Sequence, residues 1–166
     1  MRGASFTVRL PLAIVRRPGP EAPALTGGPS PAQRELTGLR LLVVDDEEDT
    51  REMLVLLLEA QGAQVFQASS AAEGRHKLQV ERPDVLLSDV GMPSEDGYAF
   101  IESVRALPRE AGGDVPAIAL TAYARSGDRT QALAAGFHSH IAKPVEPREL
   151  SAIITALVRH SRSFQK

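Results

Sequence analysis

Apolar positions change period along this chain, and the change recurs. Residues 39–44 form a short, nearly continuous apolar run, Leu39-Arg40-Leu41-Leu42-Val43-Val44. Such a run suits a strand covered on both faces. Met53, Leu54, Leu57 and Leu58 follow at helical spacing, with Asp49 and Thr50 placed to cap that helix and Gly62 to end it. The alternation then repeats. Residues 63–68 read as a second strand. Ser69 or Ser70 caps a helix carrying Ala71, Gly74, Leu78 and Val80, which stops before Pro83. Residues 85–89 are a third strand, and 98–107 a helix ended by Pro108. A fourth strand at 115–121, a small-residue helix at 128–135 closed by Gly136, and a fifth strand at 138–142 come next. The closing helix spans 147–162, with Leu150, Ile153, Ile154 and Leu157 on one stripe.

Five strands alternating with five helices predict an α/β fold, a parallel sheet with helices on both faces. In such sheets the functional crevice lies at the carboxyl ends of the strands, near a topological switch point. Asp45, Asp46, Asp89, Thr121 and Lys143 all fall at predicted strand ends. They come from four strands far apart in sequence.

Upstream of this pattern, Pro18, Pro20, Pro23, Gly27, Gly28, Pro29, Pro31 and Gly38 punctuate residues 18–38. That segment reads as a linker, which splits the chain at about residue 38. No internal repeat is evident. The 166 residues suffice for one domain with a full core. A net charge of -2 argues against binding nucleic acid by bulk electrostatics. The absence of cysteine excludes disulfides and thiolate-zinc sites, and it fits a cytoplasmic protein. No apolar run approaches the roughly 18–20 residues that span a bilayer. Pro11 and Arg16-Arg17 interrupt the N-terminal apolar stretch, which reads as neither signal peptide nor anchor.

Three crowded carboxylates repel one another unless positive charge compensates them. Lys143 supplies one unit of charge. A Mg²⁺ ion would supply two, through oxygen ligands and retained waters. No histidine stands beside the paired acids, which favours Mg²⁺ or Mn²⁺ over zinc. A carboxylate can also attack a phosphoryl group to form an acyl phosphate. Asp89 stands alone at its strand end and is the candidate for attack, while Asp45 and Asp46 are paired as metal holders. Thr121 offers a hydroxyl to a phosphoryl oxygen, and Lys143 neutralises its charge. Singly, these residues have ordinary readings: a helix cap, a turn acid, a strand-end hydroxyl, a loop lysine. The combination points to phosphoryl chemistry.

Residues 39–162 resemble a response-regulator receiver domain of two-component signalling. The resemblance is carried by Leu42-Val43-Val44-Asp45-Asp46-Glu47, by Leu87-Ser88-Asp89-Val90-Gly91-Met92-Pro93 with Asp96-Gly97, by Leu120-Thr121-Ala122, and by Ala142-Lys143-Pro144. It implies a flavodoxin-like (βα)5 fold, doubly wound, with five parallel strands in the order 2-1-3-4-5. Asp89 matches the phosphoacceptor. Asp46 matches the direct Mg²⁺ ligand, Asp45 the acid that holds metal mainly through water, and the Gly91 carbonyl a further ligand. Thr121 and Lys143 match the residues that contact the phosphoryl group. His140 stands where the family usually has a Tyr or Phe switch; it is either that switch in altered form or a half-exposed strand residue. His76, His138 and His160 match no family site and read as surface residues. Gly91 and Tyr123 occupy positions that govern water access to the acyl phosphate, and with no side chain at 91 and a shield at 123, slow self-dephosphorylation is expected. The implied partner is a histidine kinase or a histidine phosphotransfer protein, with a receiver homodimer as a further option.

Residues 3–12, Gly3-Ala4-Ser5-Phe6-Thr7-Val8-Arg9-Leu10-Pro11-Leu12, are similar to the final strand of a histidine-kinase ATP-binding domain. Residues 1–17 then read as its remnant, and the chain as the receiver of a hybrid sensor kinase. The rest of an ATP site is missing, so ATP-dependent autophosphorylation is not expected. Few residues follow the closing helix, so the expected output is a protein contact with no nucleic acid or membrane involved. Two alternatives compete. An aspartate-nucleophile phosphatase would need an acid two residues after its nucleophile, where Gly91 stands. A receiver-like binding module that is never phosphorylated would have no need of the complete acid set.

Overall fold

The computed structural model describes residues 35–122 and 126–163. Its elements run β1 (Arg40–Val44), α1 (Glu48–Ala60), β2 (Gln64–Ala68), α2 (Ala71–Glu81), β3 (Val85–Asp89) and α3 (Gly97–Arg105). A 3₁₀ turn (Arg109–Ala111) precedes β4 (Ala117–Thr121), α4 (Ser126–Ala135), β5 (Ser139–Ala142) and α5 (Pro147–Ser163). The five strands form one parallel sheet in the order β2-β1-β3-β4-β5. This is the flavodoxin-like, doubly wound arrangement expected from the alternation and the resemblance.

The apolar runs are continuous because the central strands are covered twice. Every residue of β3 and β4 is buried, and β1 is buried from Leu41 onward. Alternate side chains enter two separate cores. Leu41 and Val43 pack with Leu54 and Leu58 of α1 and with Leu150, Ile154 and Val158 of α5. Leu42 and Val44 pack with Leu78 of α2, with Phe100, Ile101 and Val104 of α3, and with Ala132 of α4. Edge strand β2 is the most exposed of the five, as its polar Gln64 and Gln67 require.

Local chemistry sets the boundaries, and several differ from the pattern. Helix α1 begins at Glu48, one residue before the predicted cap pair, because the chain turns at Glu47, whose N–H donates to Asp45 Oδ1 at 3.0 Å. Ser70 is the cap of α2, accepting from Glu73 N at 3.3 Å, while Glu73 Oε2 reaches back to Ser69 N at 2.8 Å. Strand β4 starts two residues late, because Val115 N turns back to Gly112 O and Pro116 has no N–H to give. The 3₁₀ turn after Pro108 is too short to leave an apolar period. The core also reaches upstream of residue 39: Leu36 is fully buried, and its N–H donates to Gln61 O at 3.2 Å.

The path of the chain places the crevice. From β1 it goes outward to β2, then returns across β1 to β3. The direction of winding therefore reverses between β1 and β3, and their carboxyl ends flank an open gap.

Candidate functional site

Asp45 immediately follows β1, and Asp89 is the last residue of β3. Parallel pairing sets Val44 beside Ser88, so the two acids emerge at the same height on the same rim. Asp89 pairs with Leu120, which brings Thr121 alongside, and Thr121 pairs with Ala142, which brings Lys143 into reach. Thr121 is buried, and its carbonyl accepts from Lys143 N at 2.7 Å. Sheet register alone thus gathers residues separated by up to 98 positions.

Asp45, Asp46 and Asp89 each offer a carboxylate oxygen, and these oxygens lie within 4.8 Å of one another. Asp45 is fully buried, Asp89 is nearly so, and Asp46 is exposed. Lys143 bridges two of them, with Nζ 2.8 Å from Asp45 Oδ2 and 2.7 Å from Asp89 Oδ1. Burial disfavours its ammonium, but hydrogen bonds to Asp45 and Asp89 and the attraction of their charges outweigh burial and raise its pKa above the ordinary lysine value. Lys143 therefore stays charged at neutral pH. One fixed cation faces three acids, which leaves a net negative pocket open to a further cation.

The backbone between β3 and α3 closes the floor. Gly97 lies so close to β3 that a Cβ there would sit 2.3 Å from the Asp89 carbonyl oxygen. Gly91 is exposed, and a Cβ on it would come to 3.3 Å from Asp89 Oδ2. A side chain at 91 would thus crowd the Asp89 carboxylate.

Other contacts were not legible in the sequence. Arg51 of α1 donates from Nη1 to the Asp45 carbonyl at 2.8 Å and holds the turn between the paired acids. Arg75 of α2 grips Glu95 in the loop after Gly91, at 2.6 and 2.9 Å. Periodicity shows only that Arg51 and Arg75 lie on helices, and nothing in their spacing names a partner. His140 is half-buried on β5, paired with Ala119. His76, His138 and His160 are exposed, but His138 also accepts from Ala117 N through Nδ1 at 3.1 Å. Tyr123 and the N-terminal residues 1–17 lie outside the described residues. Among the described residues no helix is long and apolar enough to cross a membrane.

Comparison with known proteins adds to this geometry. A family model for the response regulator receiver domain matches residues 41–155. An uncharacterized 14.6 kDa protein in the sodA1 3' region of Leptolyngbya boryana is 48% identical over 119 residues, covering 72% of this chain and 89% of that protein. The transcriptional regulatory protein GltR of Pseudomonas aeruginosa is 37% identical over 128 residues, covering 77% of this chain and 52% of the relative. The chain thus spans about half the length of that regulator. Among solved structures, a putative response regulator from Chloroflexus aurantiacus superposes with a TM-score of 0.68 at 33% identity, covering 73% of this chain and 98% of the other.

Proposed function

This chain belongs to the response regulator receiver family, and from that premise we propose that Asp89 accepts a phosphoryl group from a phosphohistidine on a partner protein. The observation that carries the reading is the bridge of Lys143 between Asp45 and Asp89 inside the acidic cluster. An Asp89 oxygen forms the new bond to phosphorus as the P–N bond breaks, and the electron pair of that bond returns to the donor imidazole. Lys143 keeps its proton and offers its charge to the transferring oxygens. Thr121 stands at the adjoining strand end to donate its hydroxyl to one of them.

The residues present fit a hard divalent cation. All the donors are oxygen, the three carboxylates converge within 4.8 Å, and the bare Gly91 leaves its side of Asp89 open. Asp45, Asp46, Asp89 and the Gly91 carbonyl would hold Mg²⁺. When bound, it supplies charge neutralisation for the phosphoryl oxygens.

Phosphorylation adds roughly -1.5 to -2 charge beside Thr121 and Lys143. Their stronger attraction to that state is the differential interaction that shifts the surface around α4 and β5. The partner is a histidine kinase or a histidine phosphotransfer protein, with a second receiver as the alternative output contact. Residues 3–12 support an origin in a hybrid sensor kinase.

Acetyl phosphate with intact-mass detection tests the assignment. The expected result is a single phosphoryl adduct that requires Mg²⁺ and is absent in Asp89→Asn. An adduct that survives this substitution, or one indifferent to Mg²⁺, rejects it.

A further inference from the structure

The loop at residues 90–96 joins Asp89 to α3 and carries Gly91. Backbone hydrogen bonds secure its ends: Val90 N donates to Leu120 O at 3.0 Å, and Gly97 N donates to Val90 O at 3.0 Å. Between those ends, one side chain from outside the loop and α3 holds residues 91–95 by hydrogen bonds among the described residues. It is Arg75, on the face of α2 toward α3.

Arg75 engages Glu95 with both terminal nitrogens, Nη1 to Oε1 at 2.6 Å and Nη2 to Oε2 at 2.9 Å. Nη1 also donates to Ser103 Oγ on α3 at 3.1 Å. The guanidinium lies 5.9 Å from the ring centre of Phe100, a fully buried residue of the same helix. Three pieces of chain are therefore joined at one planar group: α2, the loop and α3. The fork-to-fork geometry and the aromatic backing fix the angle as well as the distance, which a lysine could not do. The pairing raises the Arg75 pKa and lowers that of Glu95, so both stay ionised through neutral pH.

Glu95 also lines a slot of about 150 Å³ together with Met92, Pro93 and Ser70, and Asp46, one of the three clustered acids, lines the same slot. The clamp thus acts on the segment that presents Gly91 and borders Asp46, without touching either.

We propose that Arg75, acting through Glu95, is a positioning residue that sets the Gly91 backbone against the acid cluster for cation binding. This rests on the metal-holding role given to the cluster above. Half-exposed ion pairs contribute little to global stability. The effect of this one falls on loop geometry.

Two measurements on the full chain test it: Mg²⁺ titration by calorimetry, and amide hydrogen exchange of residues 90–96 in metal-free buffer. Arg75→Ala and Glu95→Gln are expected to weaken Mg²⁺ binding about tenfold, the size typical for losing a group that orients a metal ligand. Both should also speed exchange of the loop amides while the thermal midpoint stays near the parent value. Arg75→Lys should recover only part of the affinity. The reversed pair, Arg75→Glu with Glu95→Arg, should recover more than either single reversal. Unchanged Mg²⁺ affinity in both Arg75→Ala and Glu95→Gln, or unchanged loop exchange, overturns the proposal. A parent chain that binds no Mg²⁺ removes the metal-holding reading instead, and the exchange data still decide whether the clamp orders the loop.

Discussion

Asp46 differs from the other two acids in the pocket. Asp45 and Asp89 each face Lys143, whereas Asp46 is exposed and no ion pair joins it to that lysine. Its charge therefore adds repulsion to two neighbours that already share the lysine. In metal-free buffer, Asp46→Asn is expected to stabilise the fold by about 1 kcal/mol, the scale of a like-charge contact screened by water. The same substitution should weaken Mg²⁺ binding. Denaturant melts with and without metal measure both effects, and a loss of metal-free stability would contradict the repulsion argument. The acids and the lysine were readable because each terminates an apolar run or follows one. Arg51 was not. Its role depends on where the Asp45 carbonyl points, and no residue spacing encodes that direction.

At the scale of elements, the junction between β3 and α3 is the tightest packing near the site. Adding a methyl group at Gly97 would place it 2.3 Å from the Asp89 carbonyl oxygen, which forces backbone to move. Gly97→Ala is expected to cost about 1–3 kcal/mol, the usual range for overpacking a rigid spot. Asp89 should lose phosphorylation with it, because the displaced backbone carries that carboxylate.

The opposite rim holds a group whose titration is expected to couple to folding. His138 Nδ1 accepts from Ala117 N at 3.1 Å and sits 3.3 Å from Arg105 Nη2. Although the residue is exposed, desolvation of its ring lowers its pKa below 6.5, and the charges of Arg105 and His160 act the same way against a smaller opposing pull from Asp114. A lowered folded-state pKa means stability is present above about 6.5 and is lost as pH falls, since the unfolded chain takes the proton first. Thermal midpoints should fall from pH 7 to 5, and His138→Gln, which accepts the same bond without titrating, should flatten that slope. An identical slope in the variant would exclude His138 as its source. The helix and strand order was legible from period alone, but this contact was not: it joins His138, just before β5, to the first residue of β4, and the period that puts both positions in strands names no partner for either.

For the whole molecule, the site is a property of the assembled sheet. Its acids come from the ends of β1 and β3, and its lysine from the turn after β5. A cation that binds only when these ends are gathered must stabilise the entire fold. At a Mg²⁺ concentration 100 times its Kd the expected gain is about 2.7 kcal/mol. It should appear as a raised thermal midpoint by circular dichroism, and Asp89→Asn should remove most of it. No rise in the parent chain would count against the metal reading.

By itself the sequence determined the number and kind of elements, the two-sided burial of the central strands, and which acids stand at strand ends. Those features are written in local period and composition. Tertiary structure alone decided that Lys143 reaches two of the acids, that Gly97 must be bare, and that Arg75 meets Glu95. Each depends on the register between neighbouring strands and on the angle at which a helix crosses the sheet. Those quantities exist only after the chain has closed on itself.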